Sequence, residues 1–110
     1  MKKNYNLRVK HIIDKALRLL RKHDRVSNPL FHKELKIDHV MSATLIQELE
    51  RLGFIREWSI KDGRVVLLKD FSGMESKIRE LRNKLLETSI MVDKIMHKKY
   101  ELFDDVKNNQ

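Results

Sequence analysis

The side chains best equipped for chemistry in this sequence are its cations. Against 16 Asp and Glu stand 24 Lys and Arg, for a formal net charge of +8 and a pI near 9.8. The excess is local: residues 1–36 hold eleven Lys/Arg against three acids, whereas residues 37–73 hold five against six and residues 74–110 eight against seven. A basic third beside two nearly neutral ones suits contact with a polyanion, where cations displace the counterions condensed on a phosphate backbone. Covalent and metal chemistry are poorly supplied. His11, His23, His32, His39 and His97 form no HxxxH or HExxH pair, and the absence of Cys excludes a disulfide framework, a thiolate zinc site and a thiol nucleophile. No GxxxxGK[ST] or GxGxxG loop is present to cradle a nucleotide, and no Gly-x-Ser-x-Gly elbow to present a nucleophile. The expectation is a binding protein: not an enzyme, without metal, cofactor or small-molecule substrate.

The elements that must carry these cations are mostly helical, since 110 residues with three Gly and one Pro leave room for one small domain. From Leu7 to His23, Val9, Ile12, Ile13, Ala16, Leu17 and Leu20 recur at helical spacing, with Arg18, Lys22 and Arg25 among the cations on the opposite side. Ser27-Asn28-Pro29 reads as the start of a second helix, running through Leu30, Phe31 and Leu35 to about Lys36. Asp38 caps a third, from His39 to Leu52, with Ala43, Leu45, Ile46, Leu49 and Leu52 inward and Gly53 as its left-handed stop. Two short helices joined by a tight turn make a helix-turn-helix. Phe54–Ile60 and Val65–Leu68 read as the strands of a hairpin closed by Asp62-Gly63 in a two-residue turn, with Lys61 and Arg64 at its tip.

A capping box at Ser72-Gly73-Met74-Glu75 opens a last, long helix. Met74, Ile78, Leu81, Leu85, Thr88, Val92, Ile95, Lys99, Leu102 and Val106 follow a 4-3 heptad spacing, the seam of a coiled coil. The expected architecture is therefore mainly α with a small β component (α+β). A winged helix-turn-helix over residues 1–70 is followed by a coiled-coil dimerisation helix over 72–106 and a disordered tail over 107–110. Ile78, Leu81, Leu85, Val92, Ile95 and Leu102 would meet the second chain. The N-terminus lacks the apolar core of a signal peptide, and no stretch matches a membrane helix, so a cytoplasmic protein without membrane contact is expected.

Val26-Ser27, Leu35-Lys36-Ile37 and Ala43-x-Leu45-Ile46-x-x-Leu49-Glu50-x-x-Gly53-x-Ile55 together resemble the gamma domain of FtsK/SpoIIIE-type DNA translocases, over roughly residues 11–69. The resemblance implies a winged helix that binds double-stranded DNA, here without the motor. The family's base-reading positions at the start of the third helix typically hold an Asn-Arg pair and a further Arg. Here they hold Val40, Met41 and Thr44, none of them an arginine, so the family's G-rich preference is not implied. The long last helix has no counterpart there and is more similar to that of PadR-like repressors, which dimerise through a C-terminal helix.

The function expected is a homodimeric winged-helix DNA-binding protein, a transcriptional regulator or a phage, plasmid or mobile-element accessory protein. Phosphate and base contacts would come from Arg18, Lys22, Arg25, Ser27, His39, Met41, Ser42, Thr44, Gln47, Lys61 and Arg64. The rival is a protein-binding adaptor that uses Val40 and Met41 on the third helix together with a heterotypic coiled coil.

Overall fold

The computed structural model of the chain describes residues 4–108, with side chains through residue 98. Four helices and a two-stranded sheet follow in the order α1 (Tyr5–Lys22), β1 (Arg25–Val26), α2 (Asn28–Leu35), α3 (His39–Arg51), β2 (Arg64–Val65) and α4 (Glu75–Asn108). The protein is thus mainly helical with a small antiparallel sheet.

The helix ends are set by short-range chemistry. The Asn4 side chain accepts the Leu7 N–H at 3.0 Å and starts α1; the Ser27 hydroxyl accepts the Leu30 N–H at 3.2 Å at the head of α2; Asp38 accepts the Met41 N–H at 2.8 Å at the head of α3. At the end of α3 the Gly53 N–H reaches the Glu50 carbonyl (3.1 Å) and the Phe54 N–H the Leu49 carbonyl (2.9 Å). That paired pattern needs a left-handed residue between them, which Gly53 supplies with φ at 85°.

One core joins all four helices. Val9, Ile12, Ile13, Ala16 and Leu20 of α1 meet Phe31 and Leu35 of α2, Met41, Leu45, Ile46 and Leu49 of α3, Phe54 and Ile55 beyond it, and Leu81 and Leu85 of α4. Leu81 and Leu85 are fully buried, each such leucine contributing about 1.5–3 kcal/mol of burial. The expected seam is therefore divided. Leu81 and Leu85 face their own chain and are unavailable to a second copy, Ile78 packs partly on the same core, and Thr88 is buried with its hydroxyl donating to the Lys84 carbonyl at 2.9 Å. At the far end of this contact the Tyr5 hydroxyl donates to the Asp93 carboxylate at 2.8 Å. The first half of α4 is part of the domain, which does not end at residue 70.

Beyond that point α4 runs on past the core. At 34 residues it is about 51 Å long, against a longest dimension of 55 Å for the whole chain. Ile95 is 59% exposed, Met91 and Met96 are exposed and Val92 is half-buried. Leu102 and the other seam positions from Lys99 onward lie outside the described side chains. The helix includes residues 107 and 108, so these do not belong to a tail; 109 and 110 lie outside the described residues.

Two local expectations are corrected. Ser72 does not cap α4: its N–H (3.0 Å) and hydroxyl (2.8 Å) both turn back to the Asp70 carboxylate, and the helix begins instead with the Ile78 N–H on the Met74 carbonyl. A carboxylate two residues away outcompetes the unformed helix for that hydroxyl. The hairpin exists, but its turn is longer than two residues. Ser59 and Gly63 exchange backbone hydrogen bonds, leaving Ile60, Lys61 and Asp62 in the loop, where the Ser59 hydroxyl accepts the Asp62 N–H at 3.0 Å. Gly63 takes the left-handed conformation, φ 68°, where the expected turn placed it inside a two-residue loop. The strands are also shorter than expected. Val65 and Arg64 pair with Arg25 and Val26 of β1, while the 55–59 segment joins the other side only through the Ile55–Val66 and Ser59–Gly63 bridges and the Arg56 N–H on the Val65 carbonyl.

Candidate nucleic-acid interface

The residues expected to bind DNA fall into three groups and a remainder. On α1, Arg18 and Lys22 are exposed and take part in no ion pair among the described residues. Nearer its start, Arg8, His11 and Lys15 share a cleft of about 370 Å³ with Lys36, where α1 passes the end of α2. The cationic side of α1 thus continues onto the turn between α2 and α3.

The second group is the outward side of α3. His39, Val40 and Gln47 are exposed and Thr44 is half-buried, opposite a buried stripe of Met41, Leu45 and Leu49 at four-residue spacing. The His39 ring stacks on that of His32 of α2, centroids 4.3 Å apart and planes within 7°, which fixes one ring against the other at the head of the helix.

Met41 and Ser42, also expected at this surface, are corrected. Met41 is 1% exposed and belongs to the core, and the fully buried Ser42 hydroxyl is donated to α2, to the Asn28 carbonyl (3.2 Å) and side-chain oxygen. Neither side chain can reach a base. Ala43, expected to face inward, is half-buried, so the inward stripe is rotated toward Met41.

The third group meets where the sheet passes the start of α2. Arg25, Ser27 and Arg64 line one cleft of about 410 Å³, with Asn28, Trp58 and Gly63. Arg64 gives its Nε to Glu50 of α3 at 2.8 Å, and an Arg25 NH2 group stands 3.7 Å from Asp62 in the loop. Lys61 is exposed on that loop. Trp58 is 55% exposed, and sequence reading placed it only as one aromatic of a strand. A tryptophan beside Lys61-Asp62-Gly63-Arg64 was the available signal.

Around these surfaces, ion pairs fix the framework. Arg51 holds Glu48 through three hydrogen bonds of 2.9, 3.1 and 3.3 Å and lies 3.6 Å from Glu80 of α4; the Glu48 carboxylate raises the Arg51 pKa above its usual value, first by hydrogen bonding and then by charge. Lys69 donates to Asp24 at 2.9 Å and to the Arg21 and His23 carbonyls at 3.5 and 3.3 Å, closing the end of α1. Among the described residues no cluster of three or more His, Cys, Asp or Glu could hold a metal ion, and no helix is long and apolar enough to cross a membrane. Comparison with protein-family models, curated proteins and solved structures finds no match for this chain.

Proposed function

We propose that the chain is a homodimeric winged-helix protein that binds double-stranded DNA and acts as a regulator or mobile-element accessory factor. The observation that carries this reading is the α2–α3 pair, whose second helix buries one stripe and turns His39, Thr44 and Gln47 outward. The resemblance to the gamma domain of FtsK/SpoIIIE-type translocases points the same way, as does the positive excess of the first 36 residues. In this reading α3 enters a major groove, where Gln47 and Thr44 offer hydrogen bonds to base edges and Val40 an apolar contact to a thymine methyl. Arg18, Lys22 and Lys61 meet phosphates. The half-buried Val92 and the exposed Ile95 begin the seam that pairs two copies, flanked by the exposed Met91 and Met96. The adaptor reading loses half of its motive, because Met41 is buried and only Val40 of that pair is exposed.

The test is fluorescence anisotropy of a labelled mixed-sequence duplex titrated with protein at several salt concentrations. Binding whose log affinity falls linearly with log salt is expected. Arg18→Ala with Lys22→Ala should reduce that slope by about 0.9 for each phosphate no longer neutralised, equally on all sequences. No binding at about 50 mM salt, where phosphate contacts are strong, overturns the reading.

A further inference from the structure

The cleft between the start of α2 and the hairpin gathers Arg25, Ser27 and Arg64, which the sequence placed at a duplex, around an exposed tryptophan for which duplex binding has no use. Its volume, about 410 Å³, is in the range of sites that take small ligands. Its polar lining consists largely of donors. Ser27 spends its oxygen on the Leu30 N–H and keeps its own O–H, while the Asn28 side-chain oxygen is taken by Ser42, which leaves the amide NH2 to donate. Arg64 commits its Nε to Glu50, whereas Arg25 stands 3.7 Å from Asp62 without a hydrogen bond to it; a guanidinium has five N–H bonds, so both arginines have donors to spare. Beside these donors stands Trp58, a large flat surface left half in water. Anion donors within one small cleft shared with an exposed indole match the two halves of a nucleotide.

We propose that this cleft binds a nucleoside phosphate, its base against Trp58 and its phosphate against Arg25, Ser27 and Asn28. The ligand is either a free nucleotide or an unpaired nucleotide of a strand, and it is independent of duplex binding through α3. Trp58 is the single tryptophan of the sequence, so fluorescence excited at the red edge of the indole band, where the two tyrosines absorb little, reports on this cleft. The full-length protein is titrated with thymidine monophosphate, thymidine, inorganic phosphate and a ten-residue oligothymidylate. Saturable quenching by the monophosphate, tighter than by thymidine or phosphate alone, is expected. Affinity for the oligonucleotide at least about tenfold tighter than for the monophosphate assigns the strand as the source, and equal affinity assigns the free nucleotide.

With fluorescein-labelled oligothymidylate or monophosphate read by anisotropy, Trp58→Ala should weaken binding about tenfold and Trp58→Phe much less, as removal and retention of a stacking surface require. Arg25→Ala should weaken it, whereas Asp62→Ala should tighten it by removing the carboxylate that competes for Arg25. All three side chains are at least partly exposed, so folding is checked simply by circular dichroism. Absence of saturable quenching, equal quenching by inorganic phosphate, or unchanged binding by both Trp58→Ala and Arg25→Ala overturns the proposal. Gln47→Ala, on the outward side of α3, should leave the quenching intact even where it weakens duplex binding, which keeps failure of one site distinct from failure of the other.

Discussion

Lys69 lies after the sheet and Asp24 after α1, 45 residues apart, and the ion pair between them holds the two segments together while the same ammonium caps α1. The hydrogen bond from Lys69, and then its charge, hold the Asp24 carboxyl below the ordinary aspartate value; the Asp70 carboxyl is held low by the Ser72 backbone N–H and then its hydroxyl. A carboxyl with a depressed folded-state pKa stabilises the fold above its unfolded pKa, and that contribution disappears as pH falls through the folded value. Asp24→Asn is therefore expected to lower the melting temperature slightly at neutral pH, the pair being exposed. The gap to the parent protein should close as pH drops below the usual aspartate range, as thermal denaturation across an acid series would show. A gap that persists unchanged at about pH 2 would assign the effect to something other than the carboxylate's charge.

Among the elements, those set by neighbours in sequence are legible in advance and those set by distant partners are not. Ser27 and Asp38 cap their helices as their positions suggest, and Gly53 ends α3 where a residue with positive φ is needed. Strand β1 is only Arg25 and Val26, and exists because Val65 and Arg64, some forty residues later, pair with it. No local pattern reveals it. The heptad of α4 shows a similar limit, since a 4-3 spacing is the same whether the facing helix is a second copy or, as for Leu81 and Leu85, the chain's own α1 and α3. Of the candidate site, the exposed cations and the outward residues of α3 could be read from helical periodicity, and so could the burial of Met41, which stands four residues before the inward Leu45; Trp58 could not, because one side chain's place in an irregular hairpin depends on packing. Gly53 gives the cleanest test at this scale. Nothing stands within 4 Å of a Cβ added there, so Gly53→Ala meets backbone strain alone and should cost about 1 kcal/mol in denaturant unfolding. A neutral result would mean that the end of α3 relaxes into another turn.

For the whole molecule, the divided seam makes two separable parts of one helix. A chain ending after residue 93 keeps Leu81, Leu85 and the Tyr5–Asp93 hydrogen bond but lacks Ile95 and everything beyond. In the proposed dimer, such a chain should keep its helical circular dichroism and sediment as a monomer while the full chain sediments as a dimer. A truncated chain that still dimerises would move the interface to another surface. The Tyr5–Asp93 contact spans 88 positions, and Leu81 and Leu85 close a core whose first members are Val9 and Ile12. A ribosome making this protein therefore exposes the apolar side of α1 well before Leu81 and Leu85 are synthesised. Helices α2 and α3 emerge first and cover part of that side, so until α4 follows the nascent core is half-closed, and its amphipathic, strongly basic first helix is open to chaperones, to aggregation and to the polyanions around it.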